Sequence, residues 1–289
     1  MRRFENDRHT ILHGDVMEAL AAIKSDSVDL IFADPPYNIG KDFNGLRDLR
    51  DEDEYLEWCR AWIDECLRVL SPKGTFYLMS STQMMPHLDL YCRARVEVLS
   101  RIVWTYDSSG VQARRYYGSM WEPILHMVAD KSNYVFNADD IKVEAKTGAK
   151  RNLIDYRKDP PQPYSNEKGP GNVWDFARVR WRMDEYEDHP SQKPEALLER
   201  IIRASSAPDD VVMDPFSGTF TTSAVAARLG RRSLGIEVNE GYVKVGIRRV
   251  GVPSHYASEE LLKVKQRKTK NRSKHERGEI TDVIQASLI

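Results

Sequence analysis

Six short apolar runs, each ending near a turn residue or a charge, constrain the fold of this chain more than any other feature. They are VDLIFA (28–33), GTFYLM (74–79), RIVWTY (101–106), PILHMVA (123–129), DVVM (210–213) and SLGIE (233–237). Such runs are typical of strands that are buried on both faces. Helical patterns lie between several of them, at 54–70, 194–206 and 219–229, with Pro194 suited to the first helical position and Gly230 closing the last helix. The alternation predicts an α/β fold in which helices cover both sides of a mostly parallel sheet.

The region from 131 to 188 interrupts this alternation. Prolines, glycines and basic residues replace the strand and helix signals there, and 141–182 holds ten Lys or Arg against five Asp or Glu. We expect an insertion in one core domain. After Val252 the chain becomes polar, and 263–277 carries eight basic residues and one acid, which predicts a solvated helix or a disordered tail.

Composition excludes several other classes of protein. The net charge of −1 gives no overall sign of a polyanionic partner, so any such partner must be recognised by local charge. No apolar run approaches the roughly 18 residues that span a bilayer, and the N-terminus lacks a signal peptide, so we expect a cytoplasmic protein without membrane contact. The three cysteines form no CxxC pair, which argues against zinc and disulfides; Cys59 and Cys66 share the apolar face of one helical pattern and are expected in the core.

The segment FADPPYNIG, residues 32–40, places a carboxylate and two prolines directly after the first apolar run. Ligands of open α/β sheets bind beyond the carboxyl ends of strands, so this is a position for chemistry. Pro35 and Pro36 have no N–H group, so the segment offers hydrogen-bond acceptors and suits an amino group. The amine of adenine fits, because Asp34 and the Pro35 carbonyl would share its two N–H bonds while Tyr37 stacks on the base. The alternative interpretation is a rigid turn.

A second strand leads into a turn of small residues, VVMDPFSGTFTT (211–222), and then into a helix. Gly218 would let the backbone approach a ligand, and the helix N-terminus favours an anionic group. Glu237 ends the next strand, 23 residues after Asp214, near the spacing at which an acid holds ribose hydroxyls. These features predict a cofactor that contains a nucleoside; a helix cap followed by a surface glutamate is the alternative.

Three motifs together resemble those of the amino-methyltransferases that act on DNA: DPPY (34–37), HPSQKPEAL (189–197) and DPFSGT (214–219). Their order resembles that of the β group, in which the methyltransferase sheet is circularly permuted. The likeness covers roughly residues 10 to 250. Over its whole length the chain most resembles solitary adenine methyltransferases of the YhdJ type. The resemblance implies a circularly permuted, Rossmann-like, S-adenosylmethionine-dependent fold. Its catalytic half would be 1–130, its target-recognition insertion 131–188 and its cofactor-binding half 189–252, followed by a basic polar tail, 253–289.

The resemblance also implies roles for individual residues. Asp34, Pro35, Pro36 and Tyr37 would carry catalysis. Phe216 would lie against the cofactor adenine, Asp15 would contact its amine, Glu237 would hold the ribose, and Gly218, His189 and Lys193 would lie near the methionine part. Asp34, Asp214, Thr221 and Thr222 complete the implied cofactor site. One position departs from the family pattern, because Phe220 stands where the cofactor loop usually has a small residue.

Asp34 favours adenine N6 as the target, because cytosine-N4 members of the family mostly carry serine there. Cytosine C5 is excluded, since that chemistry needs a cysteine that usually follows proline and none does here. The alternatives are a cytosine-N4 methyltransferase, an RNA or protein amide methyltransferase, which usually has asparagine in this position, and a catalytically silent DNA-binding regulator of the same fold. The presence of Asp34, Tyr37, Gly218 and Glu237 together argues against the regulator.

Reaching an amine inside double-stranded DNA requires the base to be flipped out, so other residues must hold phosphates. The candidates are the basic residues of the insertion and of the segment 107–117, namely Arg114, Arg115, Arg151, Arg157, Lys158, Arg178, Arg180 and Arg182. Each of them could instead be a solvated charge. The resemblance implies a homodimer, while the sequence identifies neither a recognition site nor a restriction endonuclease partner.

Overall fold

The computed structural model describes residues 1–42, 48–107, 114–146 and 153–261. Its helices are α1 (Val16–Ala21), α2 (Glu52–Val69), α3 (Met85–Arg93), α4 (Glu195–Ser205), α5 (Thr221–Arg228) and α6 (Glu240–Val250), with a 3-10 helix at Ala138–Ile141. Its strands are β1 (Arg2–Glu5), β2 (His9–His13), β3 (Val28–Ala33), β4 (Leu70–Met79), β5 (Glu97–Thr105), β6 (Trp121–Val128), β7 (Val143–Glu144), β8 (Ile154–Asp155), β9 (Gln162–Pro163), β10 (Glu167–Lys168), β11 (Val173–Asp175), β12 (Val211–Asp214) and β13 (Arg232–Glu237).

Nine strands of the described chain form one sheet in the order β1-β2-β13-β12-β3-β4-β6-β5-β11. The neighbours from β2 to β4 are all parallel, whereas β1 and β6 run against their neighbours. Each of the six apolar runs overlaps a strand of this sheet, which confirms the predicted mostly parallel architecture. The three predicted helices are α2, α4 and α5; Pro194 is the N-cap of α4 rather than its first helical residue.

The sheet is assembled out of chain order. Strands β12 and β13, from the last third of the chain, lie between β2 and β3, which belong to its first 33 residues. The amide of Val211 donates to Oδ2 of Asp29 at 3.0 Å and joins β12 to β3 across 182 positions. This arrangement confirms the circularly permuted sheet that the motif order predicts.

The core lies on both faces of the sheet. Leu30 and Phe32 of β3 pack in a cluster with α4 and α5, whereas Ile31 and Ala33 pack in a second cluster with α1, α2 and α3. Alternate residues of one strand are therefore buried on opposite faces, which explains why the run VDLIFA has no regular polar positions. Three free cysteines, Cys59, Cys66 and Cys92, are buried in the second cluster, which confirms the predicted core role of the first two.

The described part of 131–188 contains short strands that its composition does not indicate. Strands β7 and β10 pair with each other, β8 pairs with β9, and β11 pairs with β5 as an edge of the main sheet. Whether this region recognises the target stays a prediction. The basic segment 263–277 lies outside the described residues. In the described ranges, no helix has both the length and the apolar character that crossing a membrane requires.

Candidate active site

A cavity of about 710 Å³ opens at the edge of the sheet where the parallel strands end. Residues that follow β2, β13, β12, β3 and β5 line it, and the first residues of β6 join them because β6 runs in the opposite direction. The predicted residues that line it are Asp15, Asp34, Pro35, Pro36, Tyr37, Arg178, His189, Lys193, Phe216, Gly218 and Glu237. The fold therefore brings the three sequence motifs together in one place.

Glu237 lies in the half of the cavity that is formed at the ends of β12 and β13. Its carboxylate accepts the amide of Gly218 at 2.8 Å and the amide of Asn239 at 2.7 Å. Burial raises the pKa of Glu237 to about 7, and the two backbone donors oppose that shift only in part. Gly218 has φ +49°, in the left-handed region, and an added side chain would meet the ring of His189. The turn thus presents bare backbone and a carboxylate acceptor, a combination that suits the hydroxyls of a ribose.

Phe216 and Asp15 lie near this half of the cavity. The ring of Phe216 meets Trp62 edge-on with centroids 5.0 Å apart, and it meets Trp58 in the same way at 5.6 Å. These contacts fix the orientation of a ring that also lines the cavity, as stacking on a flat heterocycle requires. Asp15 is the N-cap of α1, and its Oδ1 accepts the amides of Met17 and Glu18.

His189 lies beside the glycine turn. Its Nδ1 accepts the amide of Ser191 at 3.2 Å, so the neutral ring carries its proton on Nε2, the nitrogen nearest Gly218. The ring meets Tyr242 at 65° with centroids 4.6 Å apart, which holds it in place. The segment around His189 therefore contributes directly to the wall of the cavity.

Three of the predicted cofactor residues, Asp214, Thr221 and Thr222, are buried and build the turn rather than line the cavity. Asp214 accepts the amide of Phe216 at 3.0 Å and the hydroxyl of Thr222 at 2.6 Å. Thr221 contacts Arg249, whose guanidinium also donates to the carbonyl of Thr219. These residues act on the cavity by fixing the shape of its turn.

The packing of Phe220 explains how the chain accommodates its departure from the family pattern. It adopts φ 58°, is fully buried, and packs with Phe4, Ile11, Val243 and Ile247 in a third cluster. Two glycines leave the space for its ring, because a side chain at Gly235 or at Gly246 would collide with Phe220. The ring therefore points away from the cavity, and the chain accommodates a large residue without closing the turn.

Asp34 is held from two sides in the middle of the cavity. The hydroxyl of Tyr37 donates to its Oδ1 at 2.6 Å, and Lys193 Nζ lies 2.6 Å from its Oδ2. Lys193, which the resemblance assigns to the segment near the methionine carboxylate, pairs through its ammonium with the carboxylate of the DPPY motif. The hydroxyl of Tyr55 donates to the Pro36 carbonyl at 2.7 Å and fixes the path of the motif.

Glu122, which the sequence reasoning missed, belongs to the same cluster. Its Oε2 lies 2.9 Å from the Tyr37 hydroxyl and 3.6 Å from Lys193 Nζ. It is the second residue of β6, and it reaches this edge of the sheet because β6 is antiparallel to β4. The available signal was a single acid, in WEPILHM, immediately before a buried apolar run.

Burial dominates the electrostatics of this cluster. It raises the pKa of Asp34, although the ammonium of Lys193 lowers it in part, and it raises the pKa of Tyr37 well above its ordinary value. Burial alone would lower the pKa of Lys193, but Asp34 and Glu122 outweigh it and raise that pKa. Lys193 is therefore a permanently charged partner for two carboxylates.

The structure separates the predicted DNA contacts into three groups. Arg178 lines the cavity, with its guanidinium 4.9 Å from the ring centre of Tyr106. Six others lie on the exposed surface, namely Arg114, Arg115, Arg157, Lys158, Arg180 and Arg182. Arg157 makes a two-point ion pair with Asp155, at 2.8 and 3.0 Å, and Arg180 donates to the carbonyl of Asp107 at 3.0 Å. Arg151 lies outside the described residues, and Arg182 is exposed with φ 76°.

Two relatives are similar to this chain in sequence. The chain is 61% identical over 275 residues, 95% of its own length and 94% of the relative's, to the DNA adenine methyltransferase YhdJ of Escherichia coli strain K12. It is 34% identical to the type II methyltransferase M.HpaI of Haemophilus parainfluenzae, over 83% of this chain and 73% of that one.

Two solved structures have the same fold at low sequence identity. The PvuII DNA methyltransferase, specific for cytosine N4, superposes with a TM-score of 0.67 at 16% identity, covering 91% of this chain and 93% of that one. The complex of M1.HpyAVI with SAM gives a TM-score of 0.58 at 24% identity, covering 84% and 98%. A family model described as DNA methylase matches residues 28–248. The chain therefore belongs to the N6/N4 DNA methylase family.

Proposed function

We propose that this protein transfers a methyl group from S-adenosylmethionine to N6 of adenine in a specific sequence of double-stranded DNA. The observation that carries the proposal is the position of Asp34. The first half of the cavity contains Phe216, Gly218 and Glu237, at the ends of β12 and β13, and the second contains Glu122, at the start of β6. Asp34 directly follows β3, which lies between these strands in the sheet. A methyl donor in the first half and a base in the second would meet at Asp34.

The first half has the chemistry that the cofactor requires. Glu237 offers acceptor oxygens for ribose hydroxyls, Phe216 offers a fixed ring for an adenine, and Gly218 gives backbone access. S-adenosylmethionine bound there would supply the methyl group. The chain itself has to align this group with the target amine, which is the larger part of the acceleration expected for a direct displacement.

In the second half, the DPPY motif binds the target amine. Asp34 accepts one N–H bond of N6 and the Pro35 carbonyl accepts the other, while the Pro36 carbonyl is already engaged by Tyr55. This arrangement draws the nitrogen lone pair out of the plane of the base, so that N6 becomes a nucleophile. The ring of Tyr37 stacks on the base and holds it in the flipped position, contributing on the order of 1–3 kcal/mol.

Two observations favour adenine over cytosine. The relative with 61% identity along almost the whole chain is a DNA adenine methyltransferase, whereas the cytosine-N4 enzyme matches at 16% identity and supports the fold alone. The first residue of the motif is also an aspartate, Asp34, rather than the serine of most cytosine-N4 members. The substrate is duplex DNA, which the exposed basic residues would hold by its phosphates. The cytoplasmic location and the homodimer stay predictions.

The test is direct methylation by the purified protein. Genomic DNA, RNA and a protein extract are each incubated with S-adenosylmethionine carrying a labelled methyl group, and the DNA is digested to nucleosides. We expect label in N6-methyladenine only, and single-molecule methylation mapping of the same DNA to give one sequence context. Label in N4-methylcytosine, RNA or protein would overturn the proposal, as would cofactor binding without any transfer, which is the behaviour of a silent regulator. Asp34→Ala is the inactive control.

A further inference from the structure

Two hydrogen-bonding contacts converge on the hydroxyl oxygen of Tyr37. Asp34 Oδ1 lies 2.6 Å from it and Glu122 Oε2 lies 2.9 Å from it. An ionised carboxylate can only accept, and a phenol has a single proton to donate. When both carboxylates are ionised, one of these two contacts contains no proton. The row of oxygens from Asp34 through Tyr37 to Glu122 therefore has room for one additional proton.

Methylation of an amine releases one proton in each turnover. N6 gains a bond to the methyl carbon and loses one of its two N–H bonds, and the electron pair of that N–H bond stays on nitrogen as its lone pair. Resting on the proposed function, we infer that the row Asp34–Tyr37–Glu122 takes up this proton. Asp34 accepts it from N6, the Tyr37 oxygen then receives it, and the hydroxyl proton of Tyr37 moves to Glu122. Glu122 acts through Tyr37 and does not touch the base.

Burial and charge in the cluster support this assignment. Asp34 and Glu122 are each only 16% exposed, so water has little access to carry the proton away from Asp34. Lys193 is 8% exposed, contacts both carboxylates, and is held in its charged form by them. Its ammonium lies 2.6 Å from Asp34 and 3.6 Å from Glu122, so that one cation is shared by the two carboxylates at the ends of the row. Burial raises the pKa of Asp34, which favours uptake of a proton from the amine.

Glu122 also has a route onward towards the mouth of the cavity. Tyr106 directly follows the neighbouring strand β5. Burial raises the pKa of Tyr106, and the nearby carboxylate of Glu122 raises it further. Lys41 faces the same carboxylate from another segment, Arg178 lies over the ring of Tyr106, and both line the same cavity. Because Glu122 itself lines the cavity, a proton held on it can pass to solvent once the product base has left.

The test compares Glu122→Gln, Tyr37→Phe and the double variant in single-turnover methylation. Glu122→Gln keeps the shape but cannot accept a proton, and Tyr37→Phe keeps the stacking ring but breaks the row. We expect each to lower the single-turnover rate by about 100-fold, the lower end for proton transfer by a positioned group. The double variant should be no slower than the slower single variant, because the residues act as one unit. Cofactor and DNA affinities should stay within about threefold of wild type, so that the effect falls on the rate alone.

Glu97→Gln is the matched control, because Glu97 is an exposed carboxylate at the opposite end of β5, paired with Lys131, and its rate should not change. A single-turnover rate within about threefold of wild type for Glu122→Gln would overturn the inference. So would additive losses in the double variant, or a lower rate that comes with an equal loss of cofactor or DNA affinity. If the wild-type protein itself methylates no adenine, the proposed function fails; if it does and Glu122→Gln matches it, the inference fails alone.

Discussion

The ammonium of Lys193 lies 2.6 Å from Oδ2 of Asp34 at the carboxyl edge of the sheet, where Lys193 is buried and Asp34 is only 16% exposed. Asp34 has to be ionised to accept a hydrogen bond from the target amine. Burial raises its pKa and Lys193 opposes that shift, so removing Lys193 should raise the pKa further. Since the active carboxylate is lost as pH falls through this pKa, Lys193→Met should move the acidic limb of the rate–pH profile to higher pH.

Lys193→Arg keeps the positive charge and serves as the control, with its limb expected near that of wild type. The other titratable groups that interact with Asp34 are Glu122, Tyr37, Lys41 and Asp214, and all four are present in both variants. Thermal unfolding should accompany the kinetics, because breaking a buried ion pair costs on the order of 3–5 kcal/mol. An unshifted limb in a folded Lys193→Met protein would mean that Lys193 does not govern the ionisation of Asp34.

Asp34→Ala should abolish methyl transfer while DNA binding stays close to that of wild type. The carboxylate acts on the amine after the base has been flipped, and it does not contact phosphates. Turnover is measured with labelled cofactor, and DNA affinity by fluorescence anisotropy. A variant that retains turnover within about tenfold of wild type, a loss below roughly 1.4 kcal/mol, would show that the assigned role is wrong.

Glu237 should make cofactor binding depend on pH. Because burial raises its pKa to about 7, the side chain takes up a proton as pH falls below 7 and loses acceptor capacity for the ribose hydroxyls. We expect the cofactor affinity of the wild type to weaken by up to about tenfold between pH 8 and pH 6, a change of about 1.4 kcal/mol. Glu237→Gln should bind weakly at both values, and calorimetric titration measures both proteins. A pH dependence that survives in Glu237→Gln would assign it to another group, of which Asp214 is the nearest in character.

The basic residues of the insertion should act on DNA alone. Replacing Arg151, Arg157 and Lys158 together with alanine should weaken DNA binding and flatten its salt dependence, by about 0.9 in the slope of log K against log salt for each lost phosphate contact. Cofactor affinity should not change. Lys73→Ala is the control, because Lys73 contacts Asp29 and Asp210 at the amino end of the sheet, away from the cavity. Wild-type affinity and salt slope in the triple variant would identify these charges as a solvated face.

His126 should make the folded protein sensitive to acid. Its Nε2 is buried and has no hydrogen-bond partner within the described chain, its ring stacks on Tyr77 at 4.6 Å, and burial lowers its pKa to about 4. Below its ordinary value of about 6.5 the unfolded chain binds a proton that the folded chain does not, so stability falls with pH between 6.5 and 4. His126→Phe should lose about 2 kcal/mol less than wild type between pH 7.5 and pH 5, measured by urea unfolding.

His9, whose pKa is also lowered, is present in both proteins, so the difference between them isolates His126. An equal loss of stability in both proteins would show that the ring of His126 reaches solvent when it is charged.

The apolar runs predicted the sheet well because burial on both faces leaves a strong local signal. VDLIFA became β3 with the predicted bounds, and Asp34 and Glu237 were placed correctly at strand ends. Glu122 could not be found in this way, since a run of apolar residues does not reveal the direction in which its strand enters the sheet. The same holds for the pairing of Lys193 with Asp34, which depends on how the segment before α4 crosses the cavity.

The position of Phe220 shows a second limit of sequence reasoning. Its ring occupies space left by Gly235 in β13 and by Gly246 in α6, two residues that nothing in the local sequence connects with it. The strand β11 was missed for another reason, because three residues, Val173–Asp175, are too few to show a periodicity. Tertiary contacts decided both features.

The permuted strand order also sets when the protein can first fold during its synthesis. As the chain leaves the ribosome, β2 and β3 emerge early, but the strands that pair with their facing edges are made last, and His9 must wait for Ser233, 224 positions later. Until then those edges present unpaired backbone groups, which nascent chains tend to satisfy by pairing with one another. Closing such long loops is also slow. A chain whose synthesis ends before β12 would therefore lack the two strands that join β2 to β3, and its sheet would stay divided at that point.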